Sequence, residues 1–251
     1  MKNWNLFSFN KVFFVAFFTL VVLNSFAVIV RDDLGMQFIK VLSIPVFFIF
    51  FYARNNKINI SLIVFLVLAF LSDGVRLLFH DFNIFCLESV FYSFAFMQLI
   101  VFMLPKFKFI QFDGLIKAYL LMMFGVVVFF ANVLYDFVGI EFLNSMETML
   151  FSTKCTVITA LVFVTYGVYL HVQSKQSILF LIATVCFGFS CILDYLNFSF
   201  VNVWSFMILN RITYLLGIYF IFRFIIEENK LKTRQIEVDV QENFSSDNIF
   251  V

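Results

Sequence analysis

The chain has 251 residues, 63% of them hydrophobic and only 13% charged, with a mean hydropathy of +1.01. Soluble domains carry roughly 25% charged residues, so this composition excludes an ordinary water-soluble fold. A formal net charge of +1, with no basic stripe along the chain, excludes nucleic acid as a natural partner. The expected class is an all-α, polytopic transmembrane helix bundle whose surroundings are membrane lipids.

Crossing a bilayer takes about 20 apolar residues. Eight stretches meet that length, near 12–30, 34–53, 60–79, 84–104, 113–135, 149–171, 177–198 and 203–226. They define a transmembrane domain over 1–226, followed by a polar tail over 227–251. The tail's mixed charge predicts a short helical continuation of the last span that then frays. The first span follows Lys2 and Lys11, but its apolar run is too long for a cleaved signal segment, so it is read as a retained helix. Forty-two phenylalanines spread over nearly every span and are read as packing and lipid-facing residues, not as a binding box.

Lysine and arginine set the orientation. With the N-terminus inside, only Arg31, Lys40, Arg76, Lys154 and Arg211 of the seventeen basic residues fall on or near the outer side. Both termini are therefore expected in the cytoplasm, and the protein in the cell membrane (the inner one in a bacterium).

Cys86 and Cys155 fall near the outer ends of their spans, where a disulfide is conceivable. No CxxC or Cys/His spacing suggests a metal, and His80 and His171 read as interface residues at span ends. No nucleotide-binding loop, serine nucleophile motif or HExxH occurs, and no cofactor is expected.

Against this background two carboxylates stand out, Asp73 in SLIVFLVLAFLSDGVRLLF and Asp194 in ILFLIATVCFGFSCILDYLNF. A charge at the bilayer centre costs about 2.5–3.5 kcal/mol on insertion scales, and the short side chain of aspartate cannot snorkel far. Asp73 lies roughly 10 Å, about seven residues, below the outer end of span three. Lys40, Lys154 and Arg211 fall at similar depth, and Glu88 enters span four close by. Helical spacing groups Ser190, Asp194 and Asn197 on one stripe, Asp73, Arg76 and His80 on a second, and Asn210, Arg211 and Tyr214 on a third. Arg76, Glu88, Lys154 and His80 also admit a cheaper reading, as side chains that snorkel to the interface or zip helices together. Lys40 and Lys154, like Asp73 and Asp194, occupy corresponding spans of the two halves. That echo suggests a parallel four-plus-four repeat with a site at its seam.

These residues carry a family resemblance. Lys40-Val41-Leu42-Ser43-Ile44-Pro45 resembles the KPLxxP pattern of the YhhN-like lysoplasmalogenases. Leu71-Ser72-Asp73-Gly74-Val75-Arg76-Leu77-Leu78 and Leu193-Asp194 look like that family's two aspartate motifs. Arg211-Ile212-Thr213-Tyr214-Leu215-Leu216 is similar to its TYYLAQ-like stretch. Val41 replaces the expected proline, Leu193 a serine, and span four has no histidine, with Gln98 taken as its nearest polar residue. The resemblance covers about 30–225 and agrees with an eight-span count.

It implies hydrolysis of the vinyl ether bond of a lysoplasmalogen, a lysophospholipid-like amphiphile. Such cleavage needs one neutral acid and one ionised carboxylate. Asp194 would donate the proton, and Asp73, beside Arg76, would stay ionised and position water, or the two roles are reversed. Lys40 and Arg211 would hold phosphate, while Arg76, Ser190, Asn197 and Tyr214 complete the substrate site. The competing expectations are a small-molecule carrier or lipid-binding receptor, and a paralogue that keeps the fold without the reaction.

Overall fold

The computed structural model describes residues 4–30, 33–52, 58–78, 84–108, 114–141, 145–199 and 204–247. Among them the chain forms eight helices: α1 (Trp4–Val30), α2 (Asp33–Tyr52), α3 (Ile60–Leu78), α4 (Ile84–Lys108), α5 (Gly114–Glu141), α6 (Ser145–Val172), α7 (Lys175–Ser199) and α8 (Trp204–Asp247). Six are long and apolar enough to cross a membrane, while α3 and α5 carry shorter apolar stretches, Ile60–Val75 and Gly114–Phe129. This is an all-helical bundle of an integral membrane protein.

Where the segments begin follows local chemistry. Asn59 caps α3, accepting from the Ser61 amide through its side chain and from the Leu62 amide through its carbonyl. Ser174 and Ser177 cap α7 reciprocally, each side chain accepting from the other's backbone amide. Gln173, which follows α6, takes φ 45°, the left-handed conformation common after a helix C-terminus. The last helix differs from expectation: it continues through Asp247 rather than fraying after the span. No proline or glycine interrupts residues 227–247, and glutamate, lysine, glutamine and arginine are good helix formers.

Seven helices close a ring in the order α1, α2, α3, α4, α6, α7, α8, with α8 returning to α1 and also touching α2. Helix α5 stands outside this ring and packs on α6. Several first-half contacts recur in the second half: α1 with α2 as α5 with α6, α2 with α3 as α6 with α7, and α3 with α4 as α7 with α8. The outlying α5 departs from that pattern, since α1 packs on α8.

Phenylalanine is the commonest residue of the core. Phe13, Phe47 and Phe222 join α1, α2 and α8, and Phe102, Phe180 and Phe224 join α4, α7 and α8. Other phenylalanines, such as Phe14, Phe18 and Phe26, face outward. Several hydroxyls within the helices are satisfied locally: Ser43 donates to the Ile39 carbonyl, Thr165 to that of Leu161 and Thr213 to that of Leu209. At the end where α8 leaves the bundle, Lys106 pairs with Glu228 at 3.5 Å, and Lys175 and Lys230 pair with Glu227 at 3.7 and 2.9 Å.

Close approach of α7 to α8 depends on Gly217, where an added Cβ would lie 2.6 Å from Cε1 of Phe187. That ring is itself held by Phe65, Phe96 and Tyr214. It therefore cannot swing aside cheaply. Gly217→Val is expected to cost about 1–3 kcal/mol through overpacking, read as a lower thermal midpoint in detergent. Gly188→Ala, where a Cβ meets nothing within 4 Å, should leave the midpoint in place. Equal midpoints for the two variants would mean that the α7–α8 contact does not rest on this notch.

Candidate functional site

Six helices bring polar side chains to one end of the ring. Asp73 on α3 is completely buried, so the fold must supply every partner that water would otherwise provide. Lys40 on α2 places its ammonium 2.7 Å from Asp73 Oδ1. Tyr92 on α4 donates to the same oxygen at 2.5 Å, and Tyr214 on α8 donates to Oδ2 at 2.5 Å. With three donors from three helices, both oxygens act as acceptors, which is the hydrogen-bonding pattern of a carboxylate.

Lys40 is enclosed by the same groups. Its ammonium stands 5.4 Å from the Tyr92 ring centre and 5.2 Å from that of Tyr214, within cation–π range of both. Glu88 lies 3.7 Å away as a second, longer ion pair. Ser72, beside Asp73, donates to the Glu88 carbonyl at 2.8 Å and ties α3 to α4. Lys40, expected at a phosphate, is thus engaged with Asp73 and Glu88.

Asp194 keeps different company. It accepts from the Asn210 side-chain amide at 3.3 Å, and Asn210 in turn accepts from Ser190 at 2.6 Å. Ser190 and Asp194, one turn apart on α7, are bridged by a residue of α8. Between the two aspartates lies a small cavity of about 20 Å³, lined on one side by Lys40, Tyr92 and Tyr214 and on the other by Ser190, Asp194 and Asn210. Lys154 and Cys191 complete its polar wall, and Phe96 and Phe187 its apolar one. That volume and those partners suit about one water molecule. Asp73 sits behind the layer of Lys40, Tyr92 and Tyr214, whereas Asp194 faces the space directly.

The remaining expectations separate. Asp73, Asp194, Lys40, Ser190 and Tyr214 come together as described. Arg211 is half-buried on α8 and Asn197 half-buried on α7, with Asn197 Oδ1 enclosed and without a hydrogen-bond partner among the described residues; neither lines the cavity. Arg76 belongs to α3, but its side chain lies outside the described residues, as does His80. All four cysteines are free thiols, so Cys86 and Cys155 form no disulfide.

For Glu88 and Lys154, of the two cheaper readings, the burial rules out snorkelling to the interface and leaves contact between helices. Glu88 and Lys154 are each only 2% exposed, because α4 packs against both α3 and α6 and turns these side chains inward. Lys154 reaches the cavity with its ammonium 5.9 Å from the Tyr92 ring centre and 5.6 Å from that of Phe151. Tyr92 was not expected at all. Its signal is the spacing Glu88–Tyr92, one turn apart on the face that meets α3.

Removing one member of a buried ion pair leaves the other uncompensated, at about 3–5 kcal/mol. Lys40→Met is expected to destabilise the protein by that order. The double variant Lys40→Met/Asp73→Leu should recover much of the loss in a double-mutant cycle of unfolding in detergent. Strict additivity of the two single effects would rule out the coupling.

No family model matches the chain, and no curated protein or solved structure matches it either.

Proposed function

We propose that the protein is an integral membrane hydrolase that cleaves the vinyl ether bond of a lysophospholipid, as the resemblance to lysoplasmalogenases implies. One observation carries the reading: two aspartates flank a single polar layer in different environments, Asp73 enclosed by three donors and Asp194 turned to a cavity of about one water's volume.

The chemistry assigns each group a task. Asp194, as the neutral acid, transfers its proton to the β-carbon of the vinyl ether, and the positive charge is shared between the α-carbon and the ether oxygen. Water in the cavity adds to the α-carbon and returns a proton to the Asp194 carboxylate. The resulting hemiacetal splits into a fatty aldehyde and a glycerophospho alcohol, so one water is consumed and the acid is regenerated. Asp73 touches neither water nor substrate in this scheme. It is a positioning residue that holds the Tyr92 and Tyr214 hydroxyls and the Lys40 ammonium in a fixed array. Lys154 and Arg211 supply positive charge toward the lipid phosphate. With both termini cytoplasmic, the reaction takes place toward the outer leaflet.

The placement of charge favours this reading over a carrier. The buried charged side chains among the described residues gather around one small cavity near one end of the bundle, while the core between α1, α2, α4 and α8 is packed with phenylalanine. Carriers place their sites near the midplane on interrupted helices.

Purified protein in lipid nanodiscs, supplied with a lysoplasmalogen, should release fatty aldehyde. Asp194→Asn is expected to slow release by about 10²–10⁴-fold at an unchanged thermal midpoint, and Asp73→Asn to lower both rate and midpoint. Absence of aldehyde from the unmodified protein across ethanolamine and choline headgroups ends the hydrolase reading, and lipid binding without release would favour a receptor or a reaction-less paralogue. Full activity of Asp194→Asn ends the acid assignment.

A further inference from the structure

A second and much larger space adjoins the polar cavity. It measures about 540 Å³, well within the range of ligand sites, and lies between α5 and α7 with α6 as its floor. It exists because α5 packs on α6 and leaves α7 uncovered on that side. Val127 and Val128 wall it from α5, Thr159 from α6, and Gly188 from α7, and among the described residues no charged one lines it. Val128 and Phe189 at its margins are exposed, so it opens sideways. Its walls belong to the apolar stretch of α5 and to the candidate spans Met149–Val172 and Lys175–Asn197. The opening therefore faces hydrocarbon, not water.

The groove meets the polar cavity at one residue. Cys191 lines both spaces, and Phe151, in the groove wall, lies under the Lys154 ammonium that reaches the cavity. An amphiphile lying in the groove would bring its polar end to Lys154 and Asp194. At the other wall Gly188 has open space: a Cβ there meets nothing within 4 Å. A side chain at that position fills the groove without disturbing the packing of the ring.

We propose that this groove admits the one hydrocarbon chain of a single-chain amphiphile, entering laterally from the bilayer between α5 and α7, and that Gly188 sets the length and bulk of chain accepted. An apolar trough with one polar end suits a lipid that has one tail and one headgroup. A lipid with two tails would leave its second chain outside. The effect on turnover rests on the hydrolase reading of the polar cavity; occupation of the groove by a chain does not.

The test uses the full chain in nanodiscs and a lysophospholipid carrying a diazirine near the end of its tail. After illumination, label is expected in peptides of α5, α6 and α7 that line the groove. Unlabelled lysophospholipid should compete at a concentration at least tenfold lower than a two-chain phospholipid. Gly188→Phe should reduce groove labelling at least fivefold with an unchanged thermal midpoint. Val127→Phe, which obstructs from the opposite wall, serves if Gly188→Phe does not fold. Label spread evenly over the outward faces of α1 and α5, or labelling untouched by both substitutions, overturns the proposal, as does equal competition by two-chain lipid. Specific groove labelling in a protein that releases no aldehyde supports the groove and counts against the hydrolase. Where aldehyde is released, Gly188→Phe should shift preference toward shorter chains, and an unchanged chain-length profile overturns the role given to Gly188.

Discussion

The carboxylate of Asp73 is the constraint around which the bundle is organised. In a bilayer, lipid tails are as apolar as leucine, so burial of apolar surface gives helices little reason to choose one another over lipid. An acid sealed from water is different, because it must find its donors within the protein. Asp73 finds them on α2, α4 and α8, which fixes the rotation and height of four helices at once. Phenylalanine packing then fills the remainder of the ring, and Gly217 lets Phe187 close the apolar side of the cavity.

The two halves of the chain use related parts unequally. Asp73 and Asp194 are 121 residues apart, while Glu88 and Asn210, and Tyr92 and Tyr214, are each 122 apart. The helices that carry them make corresponding contacts. Strict correspondence would pair Tyr92 with Asp73 and Tyr214 with Asp194. Instead both tyrosines donate to Asp73, and Asp194 receives an amide from Asn210, the counterpart of Glu88. One acid is thereby committed to holding the array and the other is turned toward the cavity. Two similar carboxylates acquire dissimilar surroundings, the general route by which a pair of acids takes on separate roles.

Much of this was legible in the sequence, and what was not has identifiable causes. The helical class follows from composition, since no other architecture satisfies backbone polar groups in apolar runs of this length. Asp73, Asp194 and Lys40 announced themselves because charge in such runs is costly. Tyr92 was silent because tyrosine is half apolar and passes for a packing residue. Lys154 stayed ambiguous because a long side chain can run either toward water or inward, and the contact between α4 and α6 decides which. The end of α8 was misjudged because helical propensity persists after hydropathy stops. The displacement of α5 left no local signature, so neither did the groove it opens.

The hydrogen bond from Tyr214 to Asp73 joins residues 141 positions apart. During synthesis Lys40 and Asp73 emerge early and on adjoining helices, and Tyr92 follows with the next one. The carboxylate then waits with one oxygen lacking its tyrosine until the final helix enters the membrane. Biogenesis of the site is therefore the last event in biogenesis of the bundle. A chain arrested or truncated before α8 would expose an incompletely satisfied acid inside the lipid phase, a defect of the kind that membrane quality control can detect.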